Sequence, residues 1–337
     1  MTAGERTEKH GADFTSSAAR TRRTEPAAVS WPAQMSGRTT WQRVLTWIFV
    51  AGAIGALLYV AQRDLADVRA YHWHLRPALL VASMLLEIGV LIAGVYIWSR
   101  VIAGLNSSVA SMASLFRMWA LSNPIRYIPG SVWQLFAYGK FAGEARLSRE
   151  LVFSSLMMHI WVSIWGAVAL VLALSPLAVL PNIQIPSWAP ILAPAVLIVA
   201  HPAVFNSSLR LVAKILRRDA MKWEGGWRMS AGILVMNCGT WAGAGLAFAM
   251  FVRSIVAVDT VGTITLVAVN AISFVAGYLA LFAPAGLGVR EVTTSLLLGG
   301  ALPAGVAVLV AVAARIWIVA VELACALLAV AIPRRQV

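Results

Sequence analysis

Charge is scarce in this chain. Asp, Glu, Lys and Arg make up 12% of its 337 residues while 60% are hydrophobic, and a soluble domain of this length could not cover its surface with so few charges. Acid is scarcer still, with 14 Asp and Glu against 27 Lys and Arg. The basic excess gathers at the termini and in a few loops, as expected for cytoplasmic loops beside anionic lipid, and so does not point to nucleic acid. Cysteine is almost missing: Cys238 and Cys325 stand apart in apolar segments. That spacing supports neither a disulfide framework nor a metal cluster, and both read as packing residues. No Gly-x-x-x-x-Gly-Lys loop, paired-Asp motif or His-Glu-x-x-His occurs, so no nucleotide, metal or other cofactor and no catalytic activity is expected. A serine–histidine pairing such as Ser131 with His159 stays open, although no Gly-x-Ser-x-Gly surrounds it.

What is present is long apolar sequence. Residues 1–43, rich in Thr, Ser, Ala, Arg and Glu and without apolar periodicity, read as a disordered basic cytoplasmic tail rather than a signal peptide. Arg20, Arg22, Arg23, Arg38 and Arg43 then lead into Val44–Ala61, the first expected span. Further spans are predicted at Ala78–Trp98, Leu151–Leu174, Trp188–Phe205, Met229–Phe251 and Ala304–Ile332, each long enough for about 30 Å of hydrocarbon at about 1.5 Å per residue. Ser175 to Ser187 carries no charge, whereas Asn206 to Arg228 holds Arg210, Lys214, Arg217, Arg218, Lys222 and Arg228 against Asp219 and Glu224. The first loop is therefore external and the second cytoplasmic, which places both termini, including the short tail 333–337, inside the cell. An inner or plasma membrane is the expected location.

Two segments interrupt the apolar runs with proline, glycine and charge: Arg126-Tyr127-Ile128-Pro129-Gly130 and Pro284-Ala285-Gly286-Leu287-Gly288-Val289-Arg290-Glu291. Pro129 lies 30 residues before His159-Ile-Trp, and Pro284 lies 31 before Arg315-Ile-Trp. This is the mark of a weak duplication, about 78–174 against about 229–332. Irregular backbone at membrane depth is tolerated only inside protein or beside a polar cavity. The arms after the breaks, Ser131–Phe141 and Arg290–Leu302, are too short to span, so each unit reads as a re-entrant hairpin. Loop charges make the first enter from the cytoplasm and the second from outside. The expected fold is thus an all-α polytopic membrane protein, transmembrane over 44–332, with inverted repeats and two re-entrant broken-helix hairpins. Val261–Ala283 is itself long enough to cross, and an ordinary two-span second unit stands beside that reading.

A short helix is expected to begin after each break, presenting unpaired N–H groups that favour an anion. Arg126 and Arg290 flank these starts, and a guanidinium at this depth needs a carboxylate, carbonyls or a phosphate. Glu291 could neutralise Arg290 in an empty site. The remaining intramembrane polar groups, Glu87, His159, Arg315 and Glu322, are candidates for pairing or proton coupling; Arg315 and Glu322, seven residues apart, should meet other segments. His159 lacks a neighbour at metal-ligand spacing and reads as a packing residue, as does His201. The segment Leu209–Arg218 alternates with helical period and is expected to lie on the inner leaflet. Trp98, Trp188 and Trp227 near span ends suggest an interfacial belt.

The pattern Arg-Tyr-Ile-Pro-Gly-Ser-Val-Trp at Arg126–Trp133, together with Pro-Ala-Gly-Leu-Gly-Val-Arg-Glu at Pro284–Glu291, resembles the transmembrane region of lysylphosphatidylglycerol synthases and the stand-alone flippase-like proteins related to it. The resemblance covers about Val44 to Ile332. Ala285 stands where the family often has glycine. It implies a membrane domain that moves lipid between leaflets, here expected without the aminoacyl-transfer domain because the chain stops at Val337. The expected headgroup contacts are Arg126, Tyr127, Pro129, Gly130, Trp133, Pro284, Gly286, Gly288, Arg290 and Glu291, and the expected ligand is an anionic phospholipid or a polyprenyl-phosphate glycolipid. Two other readings stand beside translocation: a non-transporting partner of a glycosyltransferase or lipid-modifying synthase, and an intramembrane transferase.

Overall fold

The computed structural model describes residues 51–52, 55, 59–60, 62–105, 111–127, 132–180, 185–216, 220–257, 261–280 and 283–332. The expected tail 1–43, most of the span Val44–Ala61, Pro129, Gly130, Ser131, Arg217, Arg218 and the tail 333–337 lie outside them, as do the side chains of Trp133 and Pro284. Every regular element among the described residues is a helix, with no strand. Hydrocarbon demands this, because a helix satisfies its backbone polar groups internally.

Among the described residues, four helices are long and apolar enough to cross a membrane: α2 (Pro77–Leu105), α5 (Arg149–Leu174), α7 (Gly226–Ile255) and α10 (Ala304–Ala331). Shorter helices are α1 (Leu65–Ala70), α3 (Met112–Ser122), α4 (Val132–Glu144), α6 (Pro202–Leu216), α8 (Thr263–Leu279) and α9 (Val289–Leu298). Their starts follow local chemistry. Pro77 opens α2, where its missing N–H would have had no helical partner, and the Ser148 side chain accepts from Leu151 N at 3.1 Å to cap α5.

The expected span Trp188–Phe205 is not one helix. It is a 3-10 stretch, Ala189–Leu192 and Pro194–Ala200, bent by 67° from α6. Pro202 causes the break: it excludes the helical region for the preceding residue, and His201 is extended at φ −64°, ψ 134°. His201 Nδ1 instead accepts from Ala203 N at 3.2 Å, a structural role. The apolar face of α6 packs on the protein. Phe205, Leu209 and Ala213 are buried against protein, with Phe205 on the Trp223 ring at 4.8 Å between centroids, while Arg210 and Lys214 are exposed.

One order of elements occurs twice: long helix, short helix, 3-10 turn, short helix, long helix. It runs α2, α3, Pro124–Tyr127, α4, α5 and again α7, α8, Pro284–Gly286, α9, α10. The two leading helices, α2 and α7, pack side by side and antiparallel. Arg76 N before α2 donates to Ser254 O near the end of α7 at 2.8 Å, and Glu224 N before α7 donates to Gly104 O near the end of α2, also at 2.8 Å. Two apolar cores result. One gathers the second half of α2 with α3, α5, α6 and the start of α7; the other gathers the second half of α7 with α8, α9 and the first half of α10. Trp98 belongs to the first core rather than to an interfacial belt, being 1% exposed and donating to Ser155 Oγ at 3.0 Å. Trp188 and Trp227 are exposed. Cys325 is buried and Cys238 half-buried, both free.

Candidate functional site

The two interruptions meet. The turn Pro124–Tyr127 packs directly on the turn Pro284–Gly286, and both lie against α10 or α8 in the interior. Around them converge Arg126 and Tyr127 from the first turn, Arg290 and Glu291 from α9, Arg315 and Glu322 from α10, and Glu87 from α2.

Arg126 forms an ion pair with Glu322, and Tyr127 OH donates to the other oxygen of that carboxylate at 2.9 Å. Arg126 also reaches Asn123 Oδ1 and Tyr127 OH at 3.4 and 3.3 Å. A second pair joins Arg315 Nε to Glu291 Oε1 at 3.5 Å, while Arg315 Nη2 donates to Ala285 O at 3.1 Å. The Tyr127 ring lies between the two pairs, 5.2 Å from the Arg126 guanidinium carbon and 5.0 Å from that of Arg315. Arg315 and Glu322 do therefore meet different segments, as their seven-residue spacing implies.

The backbone that makes this possible is unusual. Ala285 and Gly286 take φ of 52° and 66°, and Gly288 takes 85°. A β-carbon on Gly286 would stand 2.8 Å from Gly277 Cα, so two glycines let the turn lie flat on α8. Ala285, the departure from glycine noted above, occupies a left-handed conformation that costs a non-glycine residue about 1–2 kcal/mol. That geometry accompanies the Ala285 carbonyl bonded to Arg315.

Two expectations are corrected here. Glu291 forms no ion pair with its neighbour Arg290; it pairs with Arg315, and its other oxygen accepts from Gly288 N at 2.7 Å. The start of α9 thus already has an anion in the chain's own carboxylate, an N-terminal position where negative charge is favoured. Arg290 is left with a different environment. It is 7% exposed, and its guanidinium carbon lies 3.2 Å from the centroid of the Phe274 ring, a cation–π contact. Among the described residues it makes no hydrogen bond or ion pair. Glu87 is 4% exposed with its Oε2 unpartnered, and its charged neighbours are Arg290 and Glu322.

The chain matches no protein-family model and no curated protein. Its chemistry therefore has to be read from the cluster itself: three guanidinium groups and three carboxyl groups, of which Arg126–Glu322 and Arg315–Glu291 are paired directly. No group of His, Cys, Asp and Glu suited to a metal ion exists among the described residues. His159 is not part of the cluster. Its Nδ1 is buried without a hydrogen-bond partner, and no contact links it to the charged residues. The sequence reading missed Phe274, the ring beneath Arg290, and Asn123, which accepts from both Arg126 and Gln134. Phe274 sits inside an uninterrupted apolar run and gave no signal; Asn123, directly before Pro124, was legible as a polar residue at a helix end.

Proposed function

We propose that this chain is a lipid translocase that binds the anionic headgroup of a phospholipid or polyprenyl-phosphate glycolipid where its two helix breaks meet. The observation that carries the reading is Arg290, a buried guanidinium on an aromatic ring with no anion of the chain's own bound to it. An arginine held at this depth is expensive unless it meets an anion or carbonyls, and phosphate fits its planar fork. The duplicated element order and the antiparallel α2 and α7 support inverted repeats. The turns between α3 and α4 and between α8 and α9 then act as the tips of two re-entrant hairpins, consistent with α4 and α9 being only 13 and 10 residues long. Binding sites of secondary transporters lie at such repeat interfaces.

The reading favours a cell-membrane protein whose cytoplasmic side carries the basic loop around α6. Movement is downhill or coupled to an ion, and Glu87, with an unpartnered oxygen near Arg290, is the carboxyl group placed to carry a proton.

The test is reconstitution of the purified protein in liposomes containing fluorescent phosphatidylglycerol or a labelled polyprenyl phosphate, with dithionite protection as the readout. Wild type scrambles at least one lipid, and Arg290→Gln, checked for folding by thermal unfolding, loses most of that activity. A folded wild type that moves none of these lipids overturns translocation and leaves the partner reading, for which co-purification with a glycosyltransferase or synthase is the measurement.

A further inference from the structure

We infer that α8 supplies a second, uncharged half of the headgroup site, in which Asn270 and Ser273 donate hydrogen bonds to the hydroxyl or ester oxygens of a polyol phosphodiester whose phosphate lies at Arg290; this rests on the headgroup reading above. Asn270 is 3% exposed and Ser273 1% exposed. Asn270 Nδ2 and Ser273 Oγ have no hydrogen-bond partner among the described residues. Most other buried helical groups of the same types behave differently, Ser122 Oγ at the last residue of α3 being an exception. Ser83, Ser155, Ser230, Ser254 and Asn237 each donate to a carbonyl three or four residues earlier. That back-bonding is the ordinary way a helix in an apolar setting quiets a polar side chain. Asn270 and Ser273 have not taken it, and a buried polar atom without a partner calls for water, an ion or a ligand.

Their position says which. Asn270 and Phe274 are four residues apart, as are Ser273 and Gly277, so all four share one face of α8. Phe274 carries the Arg290 guanidinium, and a β-carbon on Gly277 would stand 3.6 Å from Arg290 Cβ. The two orphaned donors therefore line the same face as the free cation. Asn270 lies one turn, about 6 Å along the axis, from the ring beneath Arg290, which is the reach of a glycerol or sugar unit from its phosphate. Neither side chain carries charge, so this half of the face adds no charge attraction for a second phosphate and suits neutral oxygen. A headgroup that ends at its phosphate would leave both donors unsatisfied.

The experiment compares phosphatidylglycerol with phosphatidic acid of the same acyl chains, measuring apparent affinity from the lipid-dependent thermal shift of the full chain in detergent. Phosphatidic acid bears at least as much negative charge, so attraction to Arg290 alone ranks it first. The expected wild-type order is the reverse, phosphatidylglycerol tighter by about three- to tenfold, the worth of one or two neutral hydrogen bonds. Ser273→Ala and Asn270→Leu, singly and together, bring the two lipids to parity or invert them. Without lipid both variants melt at or above the wild-type temperature, because each removes a buried donor that has no partner. Arg290→Gln weakens both lipids alike. A phosphatidylglycerol preference that survives in the double variant, or its absence in wild type while phosphatidic acid still binds, overturns the role of α8 and leaves the headgroup reading standing. No shift with either lipid removes both.

Discussion

Glu322→Gln keeps the shape of the side chain at the centre of the cluster and removes its charge. The carboxylate is 2% exposed and accepts from Arg126 and, at 2.9 Å, from Tyr127 OH. Hydrogen bonds to a charged group contribute about 1.5–3 kcal/mol each, and leaving one member of a buried ion pair unmatched costs about 3–5 kcal/mol. Arg126 retains 23% side-chain exposure, which places the cost near the lower end, about 3 kcal/mol. With an unfolding entropy of about 2.1 cal/mol/K per residue, 1 kcal/mol corresponds to roughly 1.4 °C for 337 residues, so the midpoint falls by about 4 °C. Arg126→Gln should cost a similar amount. The double variant leaves a neutral pair and should lie within about 2 kcal/mol of wild type, a coupling of at least about 4 kcal/mol that exceeds what independent sites show. Thermal unfolding of the full chain in detergent, followed by tryptophan fluorescence, measures all three. Losses that simply add, within about 0.5 kcal/mol, would refute the claim that these two residues hold each other.

Gly286→Ala combines a left-handed φ of 66° with a β-carbon 2.8 Å from Gly277 Cα, and should lower stability by about 2–4 kcal/mol. Ala285→Gly at φ 52° relieves strain and should raise the midpoint by about 1 °C; a fall would mean the turn is set by something other than backbone conformation. Gly245→Leu places a side chain 2.7 Å from Val267 Cα at the contact of α7 with α8, and should cost about 3 kcal/mol or prevent folding, visible as loss of the monodisperse peak on size exclusion. Trp317→Phe removes the bond to Ser83 Oγ at 3.1 Å but can keep the stack on Phe251, so a loss of only about 1 kcal/mol is expected by chemical or thermal unfolding.

The helices were legible because hydrocarbon leaves little choice: α2, α5, α7 and α10 each contain most of an apolar run readable by eye, although α2 continues seven residues past Trp98. Trp188–Phe205 is broken rather than one straight helix: hydropathy is blind to backbone, and Pro202 bends a segment whose composition alone is adequate. The two breaks were legible from Pro, Gly and charge together, and the structure brings their turns into contact. Partner choice was not legible. Arg290 and Glu291 are neighbours in sequence, yet adjacent residues on a helix do not face each other, and Glu291 turns back to Gly288 N and across to Arg315. Asn270 and Ser273 were overlooked because a buried Asn or Ser in a membrane helix ordinarily bonds its own backbone, and only their unpartnered atoms mark them as different.

The Arg126–Glu322 pair spans 196 residues of sequence. At a synthesis rate of about 5–20 residues per second, the carboxylate that neutralises Arg126 emerges roughly 10–40 s after it. For that interval Arg126 exists without the carboxylate that pairs with it in the fold. Closure of the Arg126–Glu322 pair therefore waits on α10, and the first turn completes its contacts only once that helix has been made.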